Sequence, residues 1–157
     1  MKEDHIDSRI REMARDYQSR LAAARSAFPN DAMTAGNKAQ TDWIADVRLR
    51  GATQIKAEPR TGVDSAGGGQ SRYDVVFNLM GTDIYLEVQA TGYASGHKPV
   101  QEQGQLIGFA HVSTGVGVIA RYYKIFGNPR QIYRWSRRAA QGALSKADYA
   151  PKHIMFY

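Results

Sequence analysis

Between Arg72 and Ala90 the chain reads RYDVVFNLMGTDIYLEVQA, two runs of alternating residues that meet at Gly81-Thr82. Glycine tolerates positive φ, so Gly at the first position of a two-residue turn suits a type II′ β-hairpin. That turn sets Met80 opposite Asp83, Val76 opposite Glu87 and Asp74 opposite Gln89. Strand side chains alternate between faces with a period of two. One face then carries Tyr73, Val75, Phe77, Leu79, Ile84, Leu86 and Val88, all apolar. The other carries Asp74, Val76, Asn78, Met80, Asp83, Tyr85, Glu87 and Gln89, with Asp74, Glu87 and Gln89 converging at one end. Two carboxylates held this close repel each other, and a hard cation such as Mg²⁺ or Mn²⁺ between them relieves the repulsion. The plainer alternative is an amphipathic hairpin whose polar face is simply solvated.

The rest of the chain bounds what surrounds this hairpin. With 157 residues and 43% hydrophobic content it fits one domain with its own core. The absence of Cys excludes disulfides and thiolate metal sites, and His5, His97, His111 and His153 lack zinc-like spacing. No apolar run reaches transmembrane length and the N-terminus lacks a signal-peptide core. The expected location is therefore the cytoplasm, unless another machinery exports the protein, with no membrane partner.

Charge is unevenly placed. Residues 121–157 hold eight Lys and Arg against one acid, Asp148, a net +7 on a chain whose total is +6. A cationic end on a near-neutral body suggests an anionic partner, of which nucleic acid is the commonest; a merely solubilising basic face is the alternative.

In chain order, residues 2–28 read as a helix, with Ile6, Ile10, Met13, Tyr17, Leu21, Ala24 and Phe28 recurring at steps of three and four. This helical arm (1–30) packs on the domain or, with its seam-like stripe, builds a homodimer. A second helix is expected over 34–50, capped by Thr34 or Asp31, with Ala39, Trp43, Ile44 and Val47 inward. A short strand follows at 52–58, then a Gly-rich loop to Ser71 that lacks the GK[ST] ending of a phosphate-binding loop. After the hairpin, 98–111 reads as a helix, 113–123 as a buried strand and 153–157 as an edge strand. Between the last two, Asn128 and Pro129 suit the start of a helix running to about Lys146. On that helix Arg130, Arg134, Arg137 and Arg138 form one stripe, spaced to meet successive phosphates.

The order from residue 34 is helix, three strands, helix, strand, with an Asp at the start of the second strand and Glu87-Val88-Gln89 in the third. In this, residues 34–123 resemble the PD-(D/E)xK, or restriction-endonuclease-like, nuclease superfamily. The resemblance implies an α/β fold: an αβββαβ core over 31–125 with a mixed central sheet flanked by helices. The N-terminal helix and a basic helix and terminal strand over 126–157 are additions. It also implies metal-dependent phosphodiester hydrolysis in DNA, or less readily RNA, of the kind used by mobile-element, phage or toxin nucleases. Asp74 and Glu87 would bind Mg²⁺ or Mn²⁺, the Val88 carbonyl being a further ligand. Glu58, Asp42, Asp46 or the neutral Gln40 would complete the site, Glu58 having the shortest reach. The family's usual lysine is replaced by Gln89, which can orient a water but carries no charge. Lys98 or Lys56 would then supply the cation, and Lys98 joins the arginine stripe as a nucleic-acid contact. The competing reading is a nucleic-acid-binding or scaffold protein that keeps the fold without the chemistry. A GxSxG elbow is absent, and Gly115-Val116-Gly117 lies inside an expected strand, so triad hydrolases and dinucleotide binders are excluded.

Overall fold

A computed structural model describes residues 2–47, 52–57, 74–89, 106, 109–110, 119–127, 131–144 and 154–156. It is a mixed α/β structure. Helices α1 (Lys2–Ala27) and α2 (Ala32–Val47) precede strands β1 (Thr53–Ala57), β2 (Val75–Leu79) and β3 (Thr82–Gln89). Strands β4 (Ala120–Phe126) and β5 (Gln131–Ser136), helix α3 (Arg137–Leu144) and strand β6 (Ile154–Phe156) follow. The six strands form one sheet in sequence order, antiparallel throughout except for the parallel pair β3–β4.

The periodic stripe of α1 is spent inside the molecule as far as Ala24, while Phe28 lies past the helix end and is 37% exposed. Ile6, Ile10, Met13, Tyr17, Leu21 and Ala24 are all buried, packed with Ala35, Ala39 and Trp43 of α2 and with Val75, Phe77, Leu79, Ile84 and Leu86 of the hairpin. Trp43 secures the contact of the two helices by donating its indole N–H to the Met13 carbonyl at 2.7 Å. Its ring also meets Tyr17 edge to face, with centroids 5.6 Å apart. Asp31 caps α2 as expected, its carboxylate accepting from both the backbone N–H and the hydroxyl of Thr34. This stripe therefore serves packing within the chain.

The opposite face of the sheet is covered too. Leu106, Phe109 and Ala110, which are helical, pack with Tyr122, Phe126, Tyr133, Trp135 and Ala140, and Val76 and Tyr85 lie against them. A run of ring contacts from Tyr85 through Phe109, Tyr122 and Trp135 to Tyr133 crosses this layer. The face read as polar is thus half buried.

The hairpin forms, with its turn one residue earlier than expected. Leu79 pairs with Thr82, closing a Met80-Gly81 turn in which both residues have positive φ, 51° and 81°. That is the type I′ pattern, whose twist suits paired strands. Asn78 supports it, accepting from the Gly81 N–H at 3.1 Å and donating to Asp83 at 3.0 Å. Val76 therefore pairs with Tyr85 rather than Glu87. A two-residue slip preserves side-chain parity, so both faces keep their membership. One step beyond the last pair, Val75–Leu86, Asp74 comes beside Glu87.

Two further expectations change. The helix expected from Pro129 is strand β5 followed by α3, so Arg134 lies on a strand while Arg137 and Arg138 open the helix, and the four-arginine stripe does not exist. Ile132, Tyr133 and Trp135 are residues that favour strands, and pairing with β4 outweighs the four-residue spacing of the arginines. The buried strand expected over 113–123 is observed at Ala120–Phe126, with Ile119 outside it and 55% exposed. Every residue of β4 is buried, including Arg121 and Lys124, because both charges meet counter-charges inside. Glu58, Lys98 and Arg130 lie outside the described residues.

Candidate functional site

The site assembles where the parallel strands β3 and β4 end. Asp74, just before β2, is held from two sides. Its Oδ1 accepts from Gln40 Nε2 of α2 at 2.9 Å, and its Oδ2 accepts from the Val88 backbone N–H at 2.7 Å. Val88 thus meets Asp74 through its N–H, with its own side chain in the core. Glu87 and Gln89 flank Val88 on the opposite face of β3. Glu87 pairs across the ladder with Lys124 of β4, so the two side chains share a face. Glu87 Oε2 is shielded from solvent.

Lys124 is the residue sequence reasoning missed. It is 3% exposed, and its ammonium lies 5.7 Å from the Phe126 ring centroid. Burial pushes its pKa down to about 8, opposed by the charges of Glu87 and Asp74. Desolvation disfavours the charged ammonium, while the two carboxylates favour it. The signal was a charge set within an apolar, aromatic run, Tyr122 to Phe126, which is a place solvated lysines avoid.

From α1, Tyr17 comes within electrostatic reach of Asp74, and Gln18 reaches the end of β4. Burial, and then the charge of Asp74, raises the Tyr17 phenol above its ordinary pKa. Gln18 Nε2 donates to the Phe126 carbonyl at 2.7 Å, and Gly127 N donates to the Gln89 carbonyl at 2.8 Å, which ties the ends of β3 and β4 to α1.

The other acids considered for the site are committed elsewhere. Asp42 pairs with Lys38 at 3.1 Å, and Asp46 with Arg20, which also binds Asp16. Lys56 is on β1, paired in the ladder with Val76. Arg134 donates to Asp7 Oδ2 at 2.6 Å, and Asp7 Oδ1 accepts from Tyr123 at 2.6 Å and lies 3.4 Å from Arg121. Arg134 is therefore part of an internal ion cluster. Arg137 and Arg138 border a separate 430 Å³ cavity with Ile119 and Gln141. Among the described residues no group of three His, Cys, Asp or Glu side chains is placed to hold a metal ion. No helix among them is long and apolar enough to cross a membrane.

No family model matches the chain, and no curated protein matches it. Among solved structures it is similar to one described as "Crystal structure of SSO0001", at 16% identity over 89% of this chain and 77% of that one. The TM-score is 0.33, at which the likeness carries no argument about fold or function.

Proposed function

We propose that the protein is a metal-dependent nuclease of the PD-(D/E)xK kind, hydrolysing phosphodiester bonds in DNA, with RNA the second choice of substrate. The observation that carries this reading is Lys124 standing across the β3–β4 ladder from Glu87, with Asp74 near enough to act on it electrostatically. The cation that Gln89 fails to provide is thus offered from the neighbouring strand.

The donor set fits Mg²⁺ or Mn²⁺. Magnesium is commonly held by one or two carboxylates, with waters and substrate phosphate filling the remaining positions. Asp74 and Glu87 supply two carboxylates, and because a carboxylate oxygen has two lone pairs, one that accepts a hydrogen bond can still bind a cation. When bound, such an ion polarises the phosphoryl oxygen and lowers the pKa of an attacking water. Gln40 and the Val88 N–H hold Asp74 in orientation. Lys124, protonated below about pH 8, offsets the negative charge that builds on the phosphoryl oxygens. Gln89, on the same strand face as Glu87, can orient a water through its amide. The aromatic layer beneath Lys124 lowers the local dielectric, which strengthens these interactions.

Plasmid, single-stranded DNA and total tRNA incubated with Mg²⁺, Mn²⁺ or EDTA test the reading, with Glu87→Ala and Lys124→Met alongside. Cutting that needs metal and is lost in both variants is the expected result. Intact protein that binds DNA in a salt-sensitive way yet cuts none of the three would favour the binding or scaffold reading, with Gln89 as its cause.

A further inference from the structure

The loss of the arginine stripe leaves open where a nucleic-acid strand lies. A cavity of 540 Å³ opens along α1, lined by Arg15, Gln18, Ser19, Ala22 and Arg25 and by Gly127 after β4, with Leu21 beside them. We infer that this cavity is a phosphodiester-binding site that holds a nucleic-acid strand at the carboxyl ends of β3 and β4.

Three observations carry the inference. The lining is chemically suited to phosphate, since two guanidiniums, an amide and a hydroxyl converge there and no carboxylate lines the cavity among the described residues. The spacing also suits a strand, because Arg15 and Arg25 are ten residues apart on one side of α1, about 15 Å along its axis. Finally, the cavity adjoins the ends of the strands that carry the candidate site. Gln18 is bonded to the Phe126 carbonyl and Gly127 to the Gln89 carbonyl, so its wall is the end of the two strands that carry Lys124 and Glu87. The cavity thus lies at the carboxyl ends of the one parallel strand pair among the described residues.

The inference rests on the nuclease reading for its substrate, but it is tested without chemistry. Fluorescence anisotropy of a labelled single-stranded oligonucleotide and its duplex is measured in EDTA across 50–200 mM salt. The double variant R15Q/R25Q is expected to weaken binding about tenfold and to lower the single-strand salt slope by about 1.4, two phosphate contacts at about 0.7 each. R15K/R25K keeps the slope, because charge is retained. R9Q, at an exposed arginine paired with Glu12, stays within twofold of wild type. Binding by R15Q/R25Q indistinguishable from wild type would overturn the inference, as would absence of wild-type binding. Competition by polyglutamate as effective as by DNA would overturn it in favour of an acidic protein partner. Cutting by Glu87→Ala is scored separately, so failure of catalysis and failure of this site are told apart.

Discussion

Glu87 and Lys124 are partners in the parallel β3–β4 ladder, a carboxylate and an ammonium side by side on a face of the sheet covered by aromatic rings. Alternation along β3 puts Gln89 on that face as well, one step nearer the strand end. The charge missing from Glu87-Val88-Gln89 is therefore present one strand away.

That relationship can be tested by moving the charge back. Lys124→Met should lower cleavage about 10²–10³-fold, the scale of removing one stabilising donor from a developing oxyanion. Gln89→Lys in the Lys124→Met background should restore part of the loss. Unchanged cleavage in Lys124→Met, in a protein with wild-type circular dichroism, would remove Lys124 from the mechanism.

Stability should depend on pH through the same lysine. Its pKa is about 8 in the folded protein against an ordinary 10.5, so between these values the unfolded chain binds more protons and stability rises with pH. The limiting slope is about 1.4 kcal/mol per pH unit. Tyr17 and Tyr123 act oppositely: burial raises both, so above pH 10 the unfolded chain loses phenolic protons first and stability falls. Urea melts of wild type and Lys124→Met from pH 7 to 10.5 should diverge between 8 and 10.5. Parallel curves would show that Lys124 is solvated.

Asp7 ties α1 to the sheet. Asp7→Ala would take a carboxylate away from the buried Arg121 and release Arg134 and Tyr123 from it. Breaking one side of a buried charge cluster costs about 3–5 kcal/mol. Asp42→Ala, which removes only an exposed pair with Lys38, should change stability by less than about 0.5 kcal/mol. Equal midpoints for the two variants would contradict the cluster.

Met80 occupies a left-handed conformation that suits Asn or Gly. Met80→Asn should stabilise the hairpin by about 0.5–1 kcal/mol, while Gly81→Ala should destabilise it by at least as much. Chemical denaturation of both reads the outcome, and a destabilised Met80→Asn would mean that the side chain of Met80 packs usefully.

What the sequence determined by itself was whatever depends on local periodicity. The stripe of α1, the Asp31 cap of α2 and the two faces of the hairpin are each written in spacings of two, three or four residues, and a turn misplaced by one residue left the faces intact. The convergence of Asp74 with Glu87 follows from the same parity. Only the tertiary structure decided what depends on neighbours distant in the chain. Arg121 and Lys124 counted toward the cationic segment 121–157, because a charge is ordinarily solvated. They are buried because Glu87 and Asp74, and Asp7, lie against them from elements 35 or more residues away. Arg134, placed by its spacing on a helix, joins β5 because β4 offers it a ladder and Asp7 a counter-ion. Gln40 reaches Asp74 across 34 residues for the same reason: the packing of α2 on the sheet, which no local pattern encodes, brings the two together.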